Sequence, residues 1–154
     1  MRAAARECSS SLPSLADLPL TGGCLCGGVR FEVTEPLLSA GYCHCTRCQR
    51  RTGTAASAQA RVAPGSLHVT AGEELVRTYE PLGGFGKSFC SACGSALWSR
   101  HPDDAEVMSV RLGALDGDPG VRPTYHQFTA YAAPWEPLPD DGLPRYPESR
   151  PPGV

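Results

Sequence analysis

No stretch of this chain reaches the roughly 18 consecutive apolar residues of a membrane span, and its N-terminus lacks the basic-then-apolar order of a secretory signal. Those absences argue against a membrane protein and predict a cytoplasmic one. Charge is scarce as well. Only 19% of the 154 residues are charged and the formal net charge is -2, too little of either sign for a polyanion-binding or strongly acidic protein, so nucleic acid is not an expected partner. Internal repeats and domain-separating linkers are missing too, which leaves one core, burying roughly 68–70% of the unfolded surface at this size. Long helical periodicity is also lacking: the single credible helical turn covers residues 46–51, too short to stand alone.

What the chain does contain is punctuation. With 17 Gly and 15 Pro, it favours short strands and many turns over long helices. Val29, Phe31 and Val33 alternate with Arg30 and Glu32, the period of a half-buried strand that the preceding cysteine pair opens. Further strand-like runs are 55–62, 66–70, 75–79, 87–89, 96–99, 106–112 and 124–128. The fold expected is mainly β, an all-β or β-rich architecture. Residues 1–20 read as a flexible leader holding Cys8 as a free thiol, residues 21–147 as the domain, and residues 148–154 as a mobile tail. From residue 133 onward prolines bar regular ladders, so this segment is expected to lie extended over the body, anchored by Trp135 and Leu138.

Seven of the eight cysteines form three clusters, Cys24-x-Cys26, Cys43-x-Cys45-x-x-Cys48 and Cys90-x-x-Cys93. In a reducing compartment such spacings indicate metal ligation rather than disulfides. Cys24 and Cys26, with Cys90 and Cys93, make a closed four-thiolate zinc site that clamps the first strand to a late hairpin. Cys43, Cys45 and Cys48 then hold a second zinc with one position left for water or substrate. Strand alternation sends His44 to the opposite face, behind that site. Two other arrangements stay open: a closed second site completed by Cys8, His68, His101, His126 or a partner chain, and a pairing of Cys43 and Cys45 with Cys90 and Cys93.

Gly22-Gly23-Cys24-Leu25-Cys26-Gly27, Tyr42-Cys43-His44-Cys45-Thr46-Arg47-Cys48-Gln49 and Phe89-Cys90-Ser91-Ala92-Cys93-Gly94 resemble the glutathione-dependent formaldehyde-activating enzymes and their centromere-protein-V relatives. Ala133-Pro134-Trp135 and Leu143-Pro144-Arg145-Tyr146 resemble that family's ending. The resemblance implies a compact β-rich zinc-binding fold of short antiparallel strands with two zinc ions, structural on Cys24, Cys26, Cys90 and Cys93 and catalytic on Cys43, Cys45 and Cys48. It also implies a carbon-sulfur lyase reaction in which glutathione and formaldehyde combine to S-hydroxymethylglutathione. Fold membership alone does not secure that activity; a non-catalytic zinc module for partner recognition, or an enzyme acting on another small thiol or carbonyl compound, would carry the same cysteines.

The chemistry of a three-thiolate site can be stated separately. Zinc with three thiolates carries a formal charge near -1 and polarises carbonyls weakly, yet a thiol arriving at the fourth position is deprotonated, which suits capture of a thiol for presentation to an aldehyde. Arg47, Arg50 and Arg51 beside Cys48 are candidate anchors for the carboxylates of glutathione. Gly83-Gly84-Phe85-Gly86-Lys87 lacks the spacing of a phosphate loop and reads as a glycine-rich turn, with Lys87 and Ser88 at the cleft. His126 reads as a core or surface histidine rather than a proton shuttle.

Overall fold

The computed structural model describes residues 17–106 and 108–153; Cys8 lies outside them. Eleven strands, one α-helix and three short 3-10 turns are present among these residues. A three-stranded antiparallel sheet has the order β1 (Leu20–Gly23), β2 (Arg30–Val33), β5 (Leu67–Ala71). The larger sheet has eight strands. From one edge to the other these are β11 (Arg145–Tyr146), β10 (His126–Gln127), β3 (Ser39–Cys43), β4 (Ser57–Arg61), β9 (Met108–Arg111), β8 (Ala96–Arg100), β7 (Gly86–Cys90) and β6 (Val76–Tyr79). Pairings are antiparallel except β10 with β3 and with β11, which are parallel.

The alternation read in β2 sets how the sheets meet. Phe31 and Val33 point inward, Arg30 and Glu32 are half-buried, and the Phe31 ring stands edge-on to Trp98 of β8 at 5.6 Å between centroids. Val29, Leu97, Val110 and Cys90 are fully enclosed around that pair. Burying each large apolar side chain contributes about 1.5–3 kcal/mol, and an edge-to-face aromatic pair adds about 0.5–1.5. The wall that carries Cys90 is therefore also the centre of the core.

The helix α1 spans Thr46–Thr52. Seven residues cannot hold a helix by themselves; this one is held at both ends and along its inner face. The Cys45 sulfur accepts from the Cys48 N–H at the N-terminus, and Gly53 closes the C-terminus in the left-handed region at φ 68, its N–H bonded to the Gln49 carbonyl. Arg51 then ties the inner face to β7 and β8, donating to the Ser99 hydroxyl and to the carbonyls of Ser88 and Trp98 at 2.7–2.8 Å.

Several expectations need correcting. Cys24 and Cys26 do not open a strand but lie in the turn between β1 and β2, where Gly27 N–H donates to the Cys24 carbonyl. Strands β1 and β11 escaped the reading, and β3 was read only at its end, where the strand expected through Cys45 stops at Cys43. β1 is half glycine, β3 is buried on both faces over Ala40 and Gly41 and so does not alternate, and β11 sits in the proline-rich tail. That tail forms a ladder because its prolines flank the paired residues: Arg145 and Tyr146 pair with β10 while Pro144 contributes only its carbonyl, to His126 N–H. The run 124–128 shortens to two residues because Phe128 takes φ 57 and turns the chain. Trp135 is 65% exposed and does not anchor the tail; Tyr146 does so, edge-on to Tyr125.

Candidate metal centre and its cavity

The turn after β1 and the hairpin after β7 bring four thiols together. The sulfurs of Cys24, Cys26, Cys90 and Cys93 all lie within 4.8 Å of one another, with Cys24 to Cys26 at 3.5 Å and Cys26 to Cys90 at 3.9 Å. A tetrahedral zinc with bonds of about 2.3 Å places its sulfurs about 3.8 Å apart, so the four thiols fit that ion. Hydrogen-bond donors surround them. The Val29 N–H donates to Cys24 sulfur at 3.2 Å, and the Ser95 hydroxyl, 3.2 Å from Cys93 sulfur, draws the Cys93 thiol down to about 5. Donors of this kind favour thiolate over thiol, the form a metal ligand needs.

A second set forms where β3 runs into α1. Cys43 is the last residue of β3, Cys45 caps the helix, and Cys48 lies one turn in; their sulfurs also fall within 4.8 Å of one another. Hydrogen bonds from Cys43 and Cys48 hold the Cys45 thiol down at about 2, and the same sharing pushes the Cys43 thiol up. Among the described residues no fourth His, Cys, Asp or Glu joins this set, and none links it to the four-cysteine group. His68, His101 and His126 do not complete it, and Cys43 and Cys45 do not pair with Cys90 and Cys93. The two clusters could each hold a metal ion.

His44 turns its ring away from the sulfurs. Its Nε2 lies 2.8 Å from His126 Nδ1, and His126 Nε2 lies 2.9 Å from an Asp141 carboxylate oxygen. Asp141 accepts, so His126 carries a proton on Nε2, and one further proton lies between His126 Nδ1 and His44 Nε2. Burial, then the neighbouring His126, holds His44 below its ordinary pKa, and the bond to His126 holds Asp141 below the usual carboxylate range. Tyr42 stacks on the His126 ring at 5.0 Å. The strand end that presents Cys43 is thereby braced from behind.

The three sulfurs open on a cavity of about 870 Å³. Tyr125, Arg150 and the chain end 148–153 form one wall, Phe85 and Lys87 the opposite one. Gly41 makes the first wall: a Cβ there would meet the Tyr125 ring, which lies flat across β3 and carries Arg150 at 4.4 Å from its centroid. A shallower cleft of about 700 Å³ passes Cys24 and Cys93 without reaching Cys43, Cys45 or Cys48.

The expected anchors separate. Arg47 lines the cavity, but its guanidinium donates to the carbonyls of Leu82 and Gly83. Arg50 is exposed and outside the lining. Arg51 lies beneath the site, spent on β7 and β8. Sequence reasoning missed Arg111, which is 5% exposed and donates to Ser57, Gln59 and Ser99, while its Nε has no partner. It also missed Arg61 and Arg150 on the cavity wall. An arginine directly after Val110 at the end of a short strand-like run was the available signal for Arg111. Burial lowers the pKa of Arg111, Arg51 and Lys87, and nearby Cys48 partly restores each. None of the three is paired with a carboxylate among the described residues. Buried and half-buried cations without acids need another anion, and Cys43, Cys45 and Cys48 beside them would supply it as thiolates on a bound metal.

Known proteins resemble this chain. The family model for glutathione-dependent formaldehyde-activating enzyme matches residues 19–131, which include all seven clustered cysteines. A protein of Halomonas elongata, provisionally described as a glutathione-dependent formaldehyde-activating enzyme, is 31% identical over 105 residues, covering 64% of this chain and 67% of its own. The crystal structure of a Rhodobacter sphaeroides protein superposes with a TM-score of 0.55 at 25% identity, over 82% of this chain and 99% of that one. With a match across most of its length and the cysteine sets assembled in space, the chain belongs to the glutathione-dependent formaldehyde-activating enzyme family.

Proposed function

We propose that this protein is a zinc-dependent carbon-sulfur lyase-type enzyme of the cytoplasm that joins glutathione and formaldehyde as S-hydroxymethylglutathione, and cleaves that adduct in reverse. The observation that carries the reading is the placing of the three sulfurs of Cys43, Cys45 and Cys48 at the wall of a cavity, with no fourth side-chain ligand among the described residues. Cys24, Cys26, Cys90 and Cys93 hold a structural zinc in this reading, and Cys43, Cys45 and Cys48 a catalytic one. The ion on the three cysteines, when bound, supplies a position where a thiol ionises at neutral pH.

The chain's own residues do the rest. Arg111, buried, and Arg51, half-buried, lie near Cys48 and offset the negative charge that a fourth sulfur adds to the set. Arg61 and Arg150 on the cavity wall meet the two carboxylates of glutathione. Phe85, Tyr125 and Met108 exclude water from the remaining walls, which favours addition of the sulfur to the aldehyde over its solvation.

The test is cobalt substitution of the metal sites followed by titration with glutathione. The reading predicts a change in the thiolate-to-cobalt absorption that saturates at one thiol per chain and is absent in Cys45→Ser. A spectrum indifferent to thiol would leave the cavity as part of a non-catalytic zinc module and overturn the proposal.

A further inference from the structure

Lys87 is the only lysine in the chain; every other permanently basic side chain is an arginine. It sits on β7, where it pairs across the sheet with Ser99 of β8, so both side chains leave the same face. The Ser99 hydroxyl accepts from Arg51 at 2.7 Å and from Arg111, which puts Lys87 next to the buried arginines. It also lines the cavity with Cys45 and Cys48. Half-buried there, it is paired with no carboxylate among the described residues.

Other donors on the cavity wall are occupied or, like Arg61 and Arg150, assigned above to the carboxylates. Arg47 is bound to the Leu82 and Gly83 carbonyls, the Tyr131 hydroxyl donates to Glu148 at 2.9 Å, and Arg150 stacks on Tyr125. Yet the chemistry needs a donor. Addition of a thiolate to an aldehyde moves the carbonyl electron pair onto oxygen, and a site built from three thiolates stabilises that oxygen poorly, since its charge is already negative. A free ammonium beside the sulfurs supplies what they lack.

We propose that Lys87 is the catalytic residue that receives the aldehyde oxygen, donating a hydrogen bond to the carbonyl and a proton to the alkoxide that forms from it. This rests on the thiol-aldehyde reading above. In the forward direction the thiolate electron pair forms the sulfur-carbon bond, the carbon-oxygen π pair moves to oxygen, and the Lys87 proton completes the hydroxyl. The proton that glutathione lost on ionising returns to Lys87 through water. In reverse, Lys87 takes the hydroxyl proton as the sulfur-carbon bond breaks. Lowering of the lysine pKa by burial works in the same direction, because it makes that proton easier to give.

Two measurements on the zinc-loaded full chain test the proposal. Exchange between glutathione, formaldehyde and the adduct is followed by magnetisation-transfer NMR for wild type, Lys87→Met and Lys87→Arg, alongside metal content and melting midpoint. The expected result is a fall of about 10²- to 10³-fold in the protein-accelerated exchange for Lys87→Met, with metal content and thiol-induced cobalt spectrum intact and partial recovery in Lys87→Arg. The second uses lysine labelled at the side chain, which gives one side-chain resonance because there is one lysine. It is expected to shift with S-hydroxymethylglutathione and to stay in place with S-methylglutathione, which lacks the hydroxyl. A wild type that accelerates exchange while Lys87→Met matches it overturns this inference alone, as does a resonance that ignores the adduct; the resonance decides should Lys87→Met fold poorly. A wild type that accelerates nothing overturns the proposed function and this role with it.

Discussion

His44 Nε2 lies 2.8 Å from His126 Nδ1, so a residue between two cluster cysteines is bonded to a strand 82 positions further along the chain. The contact belongs to stability rather than to ligation. His126 is 1% exposed, and its removal leaves the His44 ring nitrogen without its hydrogen-bond partner and a gap under Tyr42. His126→Ala is expected to lower unfolding free energy by about 2–4 kcal/mol, combining a buried unsatisfied donor with a cavity. Urea denaturation measures it. A loss below about 0.5 kcal/mol would show that the histidine pair does not brace β3.

The arginines beside Cys48 should behave differently from one another. Arg51 makes three hydrogen bonds at 2.7–2.8 Å to β7 and β8, whereas Arg50 is exposed. Arg51→Ala is expected to cost about 2–4 kcal/mol because it leaves two carbonyls without their donor, and Arg50→Ala less than about 0.5. Glutathione binding should survive Arg50→Ala. Equal effects of the two substitutions in thermal melts would contradict this division.

A pH dependence follows from Asp116, which closes the small sheet by accepting from Arg30 and from Thr21 at 2.7 Å. Those bonds, Arg30 first, hold its pKa below the usual 3.8. A carboxylate depressed in the folded state stabilises the fold above the unfolded-state pKa and loses that contribution as pH falls through the folded one. The melting-midpoint difference between wild type and Asp116→Asn should therefore be constant above about pH 5 and shrink below about pH 4. Since both side chains are substantially exposed, the difference should also shrink in high salt. A gap that widened on acidification would refute the assignment.

Much of this was legible from spacing, and the reason is local. Cysteines two and three apart can meet one ion whatever the rest of the chain does, so both thiol sets were readable before any fold. Strand β2 was readable because only one of its faces is buried, and α1 because its cap and its glycine stop are written in adjacent residues. The turn holding Cys24 and Cys26 was misread because period-two spacing looks the same in a strand and in a tight hairpin turn. Most of β3 and all of β11 were missed since one is buried on both faces and the other lies among prolines. Arg61, Arg111 and Arg150 come from β4, β9 and the chain end, and only the parallel pairing of β10 with β3 and β11 brings that end to the cavity. No window of sequence contains that arrangement.

The division of labour between the two cysteine sets is the central claim, and metal analysis with a folding readout tests it most directly. Wild type is expected to hold about two zinc ions per chain, from four ligands in one set and three in the other. Cys45→Ser should hold about one and remain folded by circular dichroism, whereas Cys90→Ser, whose sulfur is fully buried between the core and the four-thiol group, should lose its fold. Equal unfolding of both variants, or a Cys90→Ser protein that stays folded, would contradict the account.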